Sequence, residues 1–145
     1  MRTPLALISA ALFASLGLTA CSEQSVFEIP VGSCAASDSF GVAAEGVLES
    51  LPLIDCAEPH DLEAFATMDL EGDEFPGDAS LKETADAFCI AEFESFVGVS
   101  YTESELSVTY FAPTADSWDR SGDREVLCWV VSTEPVTGTL QGAAR

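Results

Sequence analysis

Cations are scarce in this chain. Its 145 residues carry five Lys and Arg against 25 Asp and Glu, a net charge of −20, and a single imidazole, His60. With so few positive side chains no basic face can form along a phosphate backbone, and nucleic acid is excluded as a partner. The sequence has no Cys-x-x-Cys pair to place beside its one histidine, so zinc is set aside and neither a metal nor a cofactor is expected. It also lacks a GxSxG elbow, an internal repeat, a low-complexity block and any linker long enough to separate domains. The length falls short of a TIM barrel, a two-lobed solute receptor or a complete Rossmann enzyme. With 48% apolar residues, however, the chain can bury one core, which a disordered acidic tail cannot.

The long apolar run lies at the start. Met1-Arg2 supplies a cation, Pro4 through Leu18 is nearly unbroken hydrocarbon, and the run stops at Leu18-Thr19-Ala20-Cys21 before the polar Ser22-Glu23-Gln24-Ser25. The run is too short for a spanning helix and its exit is lined with small residues, the pattern of an export signal. Leu18-Thr19-Ala20-Cys21 resembles a bacterial lipobox. That resemblance implies a signal peptide over residues 1–20, diacylglycerol on the Cys21 thiol and a further acyl chain, such as palmitate, on the new N-terminus. Several chains on one residue anchor stably, since each buried methylene contributes about 0.8 kcal/mol. The alternative is an ordinary cleaved signal, with Cys21 a plain thiol. The expected location is the extracytoplasmic face of the cell membrane, with residues 21–27 as a tether and the domain over 28–142.

Once Cys21 carries lipid, an even set remains: Cys34, Cys56, Cys89 and Cys128. Dispersed, even-numbered cysteines in a small exported domain predict two disulfides. The expected pairs are Cys34 with Cys56 and Cys89 with Cys128. The second has the better warrant, because a helix-stripe cysteine and a buried-strand cysteine can face each other across a core; the two other arrangements stay open.

Pro30 and Gly32 break an extended segment that ends at Cys34, and residues 35–49 read as loop. Leu62 to Leu70 alternates, placing Leu62, Ala64, Ala66 and Met68 on one side and Glu63, Phe65 and Thr67 on the other, a strand with one modestly buried face. After an acidic loop, Ser80-Leu81-Lys82-Glu83 fits a capping box opening a helix. In that helix Leu81, Ala85, Phe88, Cys89, Phe93 and Phe96 form an apolar stripe and Gly98 is the expected C-terminal cap. Leu106–Phe111 alternates as a further strand, and Val126–Val131, apolar throughout, reads as a central strand covered on both faces. The expected fold class is α+β: a small antiparallel sheet with one main helix packed on it, stapled by two disulfides.

Several short motifs then follow in a set order: Val31-Gly32-Ser33-Cys34, Asp55-Cys56-Ala57-Glu58-Pro59-His60-Asp61-Leu62-Glu63-Ala64-Phe65-Ala66, Phe75-Pro76-Gly77, Cys89, Tyr110-Phe111-Ala112-Pro113-Thr114, Ser117-Trp118, Gly122-Asp123-Arg124, Cys128 and Thr137-Gly138-Thr139-Leu140. Together they resemble the septum-formation domain of exported and membrane-attached actinobacterial proteins, over about residues 31 to 142. Ser33, where the family often has an acid, and Ser121 depart from the pattern. The resemblance implies a non-enzymatic extracytoplasmic domain connected with septation.

Candidate chemistry is sparse. His60 has Asp55, Glu58, Asp61 and Glu63 near it in sequence but no evident nucleophile, so the expectation is a turn-locking ring hydrogen-bonded to backbone or to Asp61. Asp69, Glu71, Asp73, Glu74 and Asp78 form a dense carboxylate loop without EF-hand order, expected to be solvated. Trp118, Arg120 and Arg124 sit in a segment read as a turn between strands. With His60 they are the candidate interaction residues, although an internal role that locks the turn is favoured for Trp118 and Arg124. The expected function is a lipid-anchored, non-enzymatic binding domain of the cell envelope, its partner an envelope protein or cell-wall component. The alternative is a small lipoprotein that binds a cation or a cell-wall fragment. A wall hydrolase ranks below both, since no carboxylate pair stands out.

Overall fold

The computed structural model describes residues 29–42 and 48–145. The expected signal peptide, Cys21 and its tether lie outside the described residues.

The chain enters a sheet at β1 (Cys34–Ala35), makes one 3-10 turn at Ser37–Ser39, forms a two-stranded ribbon from β2 (Gly41–Val42) and β3 (Leu48–Ser50), and returns at β4 (Leu53–Ile54). Residues 35–49, expected as loop, therefore supply some of β1 and the ribbon. There follow β5 (His60–Asp69), α1 (Asp78–Val97), a second 3-10 turn at Tyr101–Glu103, β6 (Ser107–Phe111), α2 (Ala115–Ser121) and β7 (Glu125–Val136). Five strands form one antiparallel sheet in the order β4-β1-β5-β7-β6. The fold is α+β.

β7 is central because its sequence can satisfy two apolar faces. Val126, Cys128 and Val130 point into the core under α1, while Leu127 and Trp129 point into a second core on the other side with Ile29, Ala35, Leu62 and Ala64. α1 buries Leu81, Ala85, Cys89, Phe93 and Val97, an unbroken i, i+4 row, and Phe88 and Phe96 pack beside it. Cys89 and Cys128 are both fully buried and bonded to each other, joining α1 to β7; Cys34 is bonded to Cys56, joining β1 to the loop before β5. Gly98 caps α1 in the left-handed conformation at φ 93°, its N–H on Glu94 O.

Two local expectations are corrected. The strand around Leu62–Leu70 does not keep strict alternation: Ala64 pairs with Trp129 and Ala66 with Cys128, so Phe65 is an extra residue on β5. This bulge shifts the strand's face. Leu62 and Ala64 enter one core while Phe65 and Ala66 both enter the other, so the strand is buried on two sides and not one. The capping box at Ser80 is absent, because α1 begins earlier, at Asp78 after Gly77, and no side chain caps it. Ser80 stands inside the first turn with its carbonyl accepting from Thr84 Oγ1, and Asp78 supplies the negative charge at the positive helix end.

Candidate functional site

The corner where β1 meets β5 holds the single histidine. Asp55 folds the preceding loop, its Oδ1 accepting Ala57 N–H at 2.9 Å and its carbonyl accepting Glu58 N–H at 2.8 Å. The chain then turns into β5 with His60 as its first residue, opposite Val136, so His60 is a strand residue and not in the turn itself. The ring is 1% exposed, and Nδ1 lies 2.9 Å from the Glu58 carbonyl oxygen. A carbonyl only accepts, so Nδ1 carries the proton, and Nε2 is buried with no hydrogen-bond partner among the described residues. Beside the ring stands the Cys34–Cys56 bridge: one imidazole nitrogen and the two sulfurs all lie within 4.8 Å of one another. Asp61, the other expected partner of the ring, is engaged elsewhere, accepting the Ser37 N–H at 2.7 Å and the Ser37 hydroxyl. Among the described residues no carboxylate is hydrogen-bonded to His60 as the orienting partner of a catalytic base would be.

Glu63 is the residue the sequence reading missed. It is 2% exposed, and both carboxylate oxygens are engaged: Oε1 accepts the Thr139 hydroxyl at 2.6 Å and Oε2 accepts Leu140 N–H at 2.5 Å. Gly138 N–H reaches the Cys56 carbonyl at 2.6 Å, and Gly142 and Ala144 reach the Phe96 and Val97 carbonyls at 2.8 Å each. The segment after β7 is thus a strap across the cysteine corner, β5 and the end of α1, held by one buried carboxylate. A glutamate on an alternating strand reads as solvent-facing. Only the Thr-Gly-Thr-Leu motif far along the chain signals the partner.

At the opposite end of β5 the segment read as a turn is a helix. Thr114 and Ser117 form a reciprocal capping box that opens α2, and Gly122 closes it at φ 67°. Trp118 is 1% exposed, and its Nε1 donates to the Asp73 carbonyl at 3.1 Å, with the Phe75 ring edge-on at 5.8 Å. The acidic loop is thereby pinned through its backbone. Arg124 places its guanidinium carbon 3.6 Å above the indole centroid and donates from Nη1 to the Trp118 and Asp123 carbonyls at 3.1 and 2.8 Å. Arg120 is exposed and pairs with Asp116 at 2.9 Å. Trp118 and Arg124 therefore meet, Arg120 lies exposed on the helix that carries Trp118, and His60 lies at the far end of the strand.

Charge remains uncompensated over most of the surface. Among the described residues three ion pairs form, Lys82–Asp86, Arg120–Asp116 and Arg145–Glu105, all between well-exposed groups. At the start of β7, Glu125 stands directly opposite Asp69. Partial burial pushes the Glu125 carboxyl above the usual range; Asp69 and Asp123 add to this, against a Thr67 hydrogen bond that lowers it. The carboxylates of loop 69–78 do not converge as three metal-ligand atoms among the described residues. A cleft of about 190 Å³ between Glu105, Ser132, Glu134 and Arg145 is below the range of about 300–1,000 Å³ usual for small-molecule sites.

The family model described as septum formation matches residues 31–144, from the turn before Cys34 to the end of the strap. The chain belongs to the septum-formation family. No curated protein and no solved structure matches it. The family's description points to a role related to division. Within the matched segment of this septum-formation domain several residues act as structural fastenings: Cys56 and His60 at the corner, Glu63 with Thr139 and Leu140 at the strap, Trp118 on α2 and Arg124 just after it.

Proposed function

We propose that the protein is a lipid-anchored, extracytoplasmic binding domain that serves division without catalysing a reaction. Family membership over residues 31–144 carries the reading, because the matched segment follows directly on a lipobox-like sequence and a short polar tether. Two disulfides favour an oxidising location. The non-enzymatic character draws on what the candidate groups do: His60 Nδ1 binds a backbone carbonyl, Asp61 binds Ser37, and each oxygen of Glu63 accepts a hydrogen bond from the strap. A surface with so few cations favours a partner that presents positive charge, by complementarity. The test is proximity labelling from the anchored protein in dividing cells. Enrichment of septal envelope proteins, lost with Cys21→Ser, supports the reading. Labelling spread evenly over the envelope, or unchanged by Cys21→Ser, contradicts it.

A further inference from the structure

We propose that Cys34, Cys56 and His60 form a redox-gated site for a soft d10 metal ion, cuprous copper in particular. The three donors are already assembled, with both sulfurs and an imidazole nitrogen within 4.8 Å of one another. His60 is prepared as a ligand: Nδ1–H is held by the Glu58 carbonyl, the outer contact that fixes the tautomer and orientation of metal-binding histidines, and the Nε2 lone pair is buried and unpartnered. Two thiolates and one imidazole select copper(I) or zinc among common ions. Three protein donors complete the shell of a cuprous ion, whereas tetrahedral zinc needs a fourth ligand that this cluster does not supply.

In the oxidised protein the sulfurs are bonded to each other and the site is closed. A dithiol reductant opens it: the S–S bond takes up two electrons and two protons, the dithiol becomes a disulfide, and two thiols result. The thiol protons leave to solvent as two sulfur–copper bonds form and Nε2 donates its lone pair. Cys56 is only partly buried, whereas Cys89 and Cys128 are sealed and have no histidine in such a cluster, so a soluble dithiol meets the first bridge before the second. This inference does not depend on the anchoring or division reading.

The experiment uses the full chain carrying Cys21→Ser, which removes the fifth thiol. It is reduced with a dithiol until mass analysis after alkylation shows one open bridge per chain, then titrated with copper(I) against a chromophoric cuprous chelator. The expected result is one copper per chain, a native near-UV spectrum, and affinity at least tenfold weaker in His60→Gln. X-ray absorption on the wild-type histidine background guards against misfolding of that variant and should show two sulfur neighbours and one nitrogen. Absence of stoichiometric uptake, loss of the native spectrum on reduction, equal affinity in His60→Gln, or a sulfur-only shell each overturns the site.

Discussion

Glu63 Oε2 accepts the backbone N–H of Leu140 at 2.5 Å, across 77 positions of sequence. The bond fastens the last turn of the chain to the middle of the sheet, and Leu140 is buried as a member of the core cluster under α1. A carboxylate so deeply placed is tolerated because each oxygen meets a donor.

Glu63→Ala leaves the Leu140 amide without its partner and should cost about 3 kcal/mol in urea unfolding, against about 1–2 kcal/mol for Glu63→Gln, which can still accept one bond. Hydrogen exchange at Leu140 should accelerate ahead of exchange in β7. An unchanged unfolding midpoint for Glu63→Ala would remove the strap from the account.

Non-reducing peptide mapping should recover Cys34–Cys56 and Cys89–Cys128. Each bridge should stabilise by about 2–4 kcal/mol, and the one closing the longer loop, Cys89–Cys128, by about 0.5 kcal/mol more on loop entropy alone. A Cys56–Cys89 peptide would contradict the arrangement.

The two arginines around α2 separate an internal cation from an external one. Arg124→Ala loses the indole face and two carbonyl acceptors and should cost about 1–3 kcal/mol. Arg120→Ala, at an exposed pair, should stay within about 0.5 kcal/mol. Urea unfolding of both variants decides; equal effects would contradict the placement.

Glu125 gives the pH dependence a sign. Its carboxyl is raised in the folded state above the 4.5 of the free group, so the folded protein holds that proton more tightly and the ionised form weakens folding. Glu125→Gln should therefore stabilise at neutral pH, by about 0.5 kcal/mol or less because the site is half-exposed and screened. That gain should shrink as pH falls through the raised folded value and vanish below the unfolded one. Thermal unfolding between pH 7 and pH 4 checks it; a gain that grows toward acid would contradict the assignment.

The elements read correctly from sequence are those with a strong repeating signal. The helical stripe through Leu81, Ala85, Cys89 and Phe93 and the continuous apolar run of β7 each have one way to be buried, and the cysteines on them then face each other. What escaped depends on single residues or distant ones. One extra residue, Phe65, breaks alternation without changing composition. α2 is seven residues of polar character around one Trp, too short to show a period, though its Thr114–Ser117 cap and Gly122 stop are visible once the helix is known. Gly77 opens α1 through backbone conformation at φ 86°, which a side-chain capping rule does not register. The His60 corner depends on β1, the Cys56 loop and β5 meeting, a property of the sheet order and not of spacing along the chain.

Anchoring of this domain through Cys21 is the central claim, and intact-mass analysis of the protein extracted from its own membranes tests it most directly. The account predicts a chain that begins at Cys21 and carries a diacylglyceryl adduct there, with a further acyl chain on its amino group. An unmodified chain recovered in the soluble fraction, or one that retains residues 1–20, would contradict it.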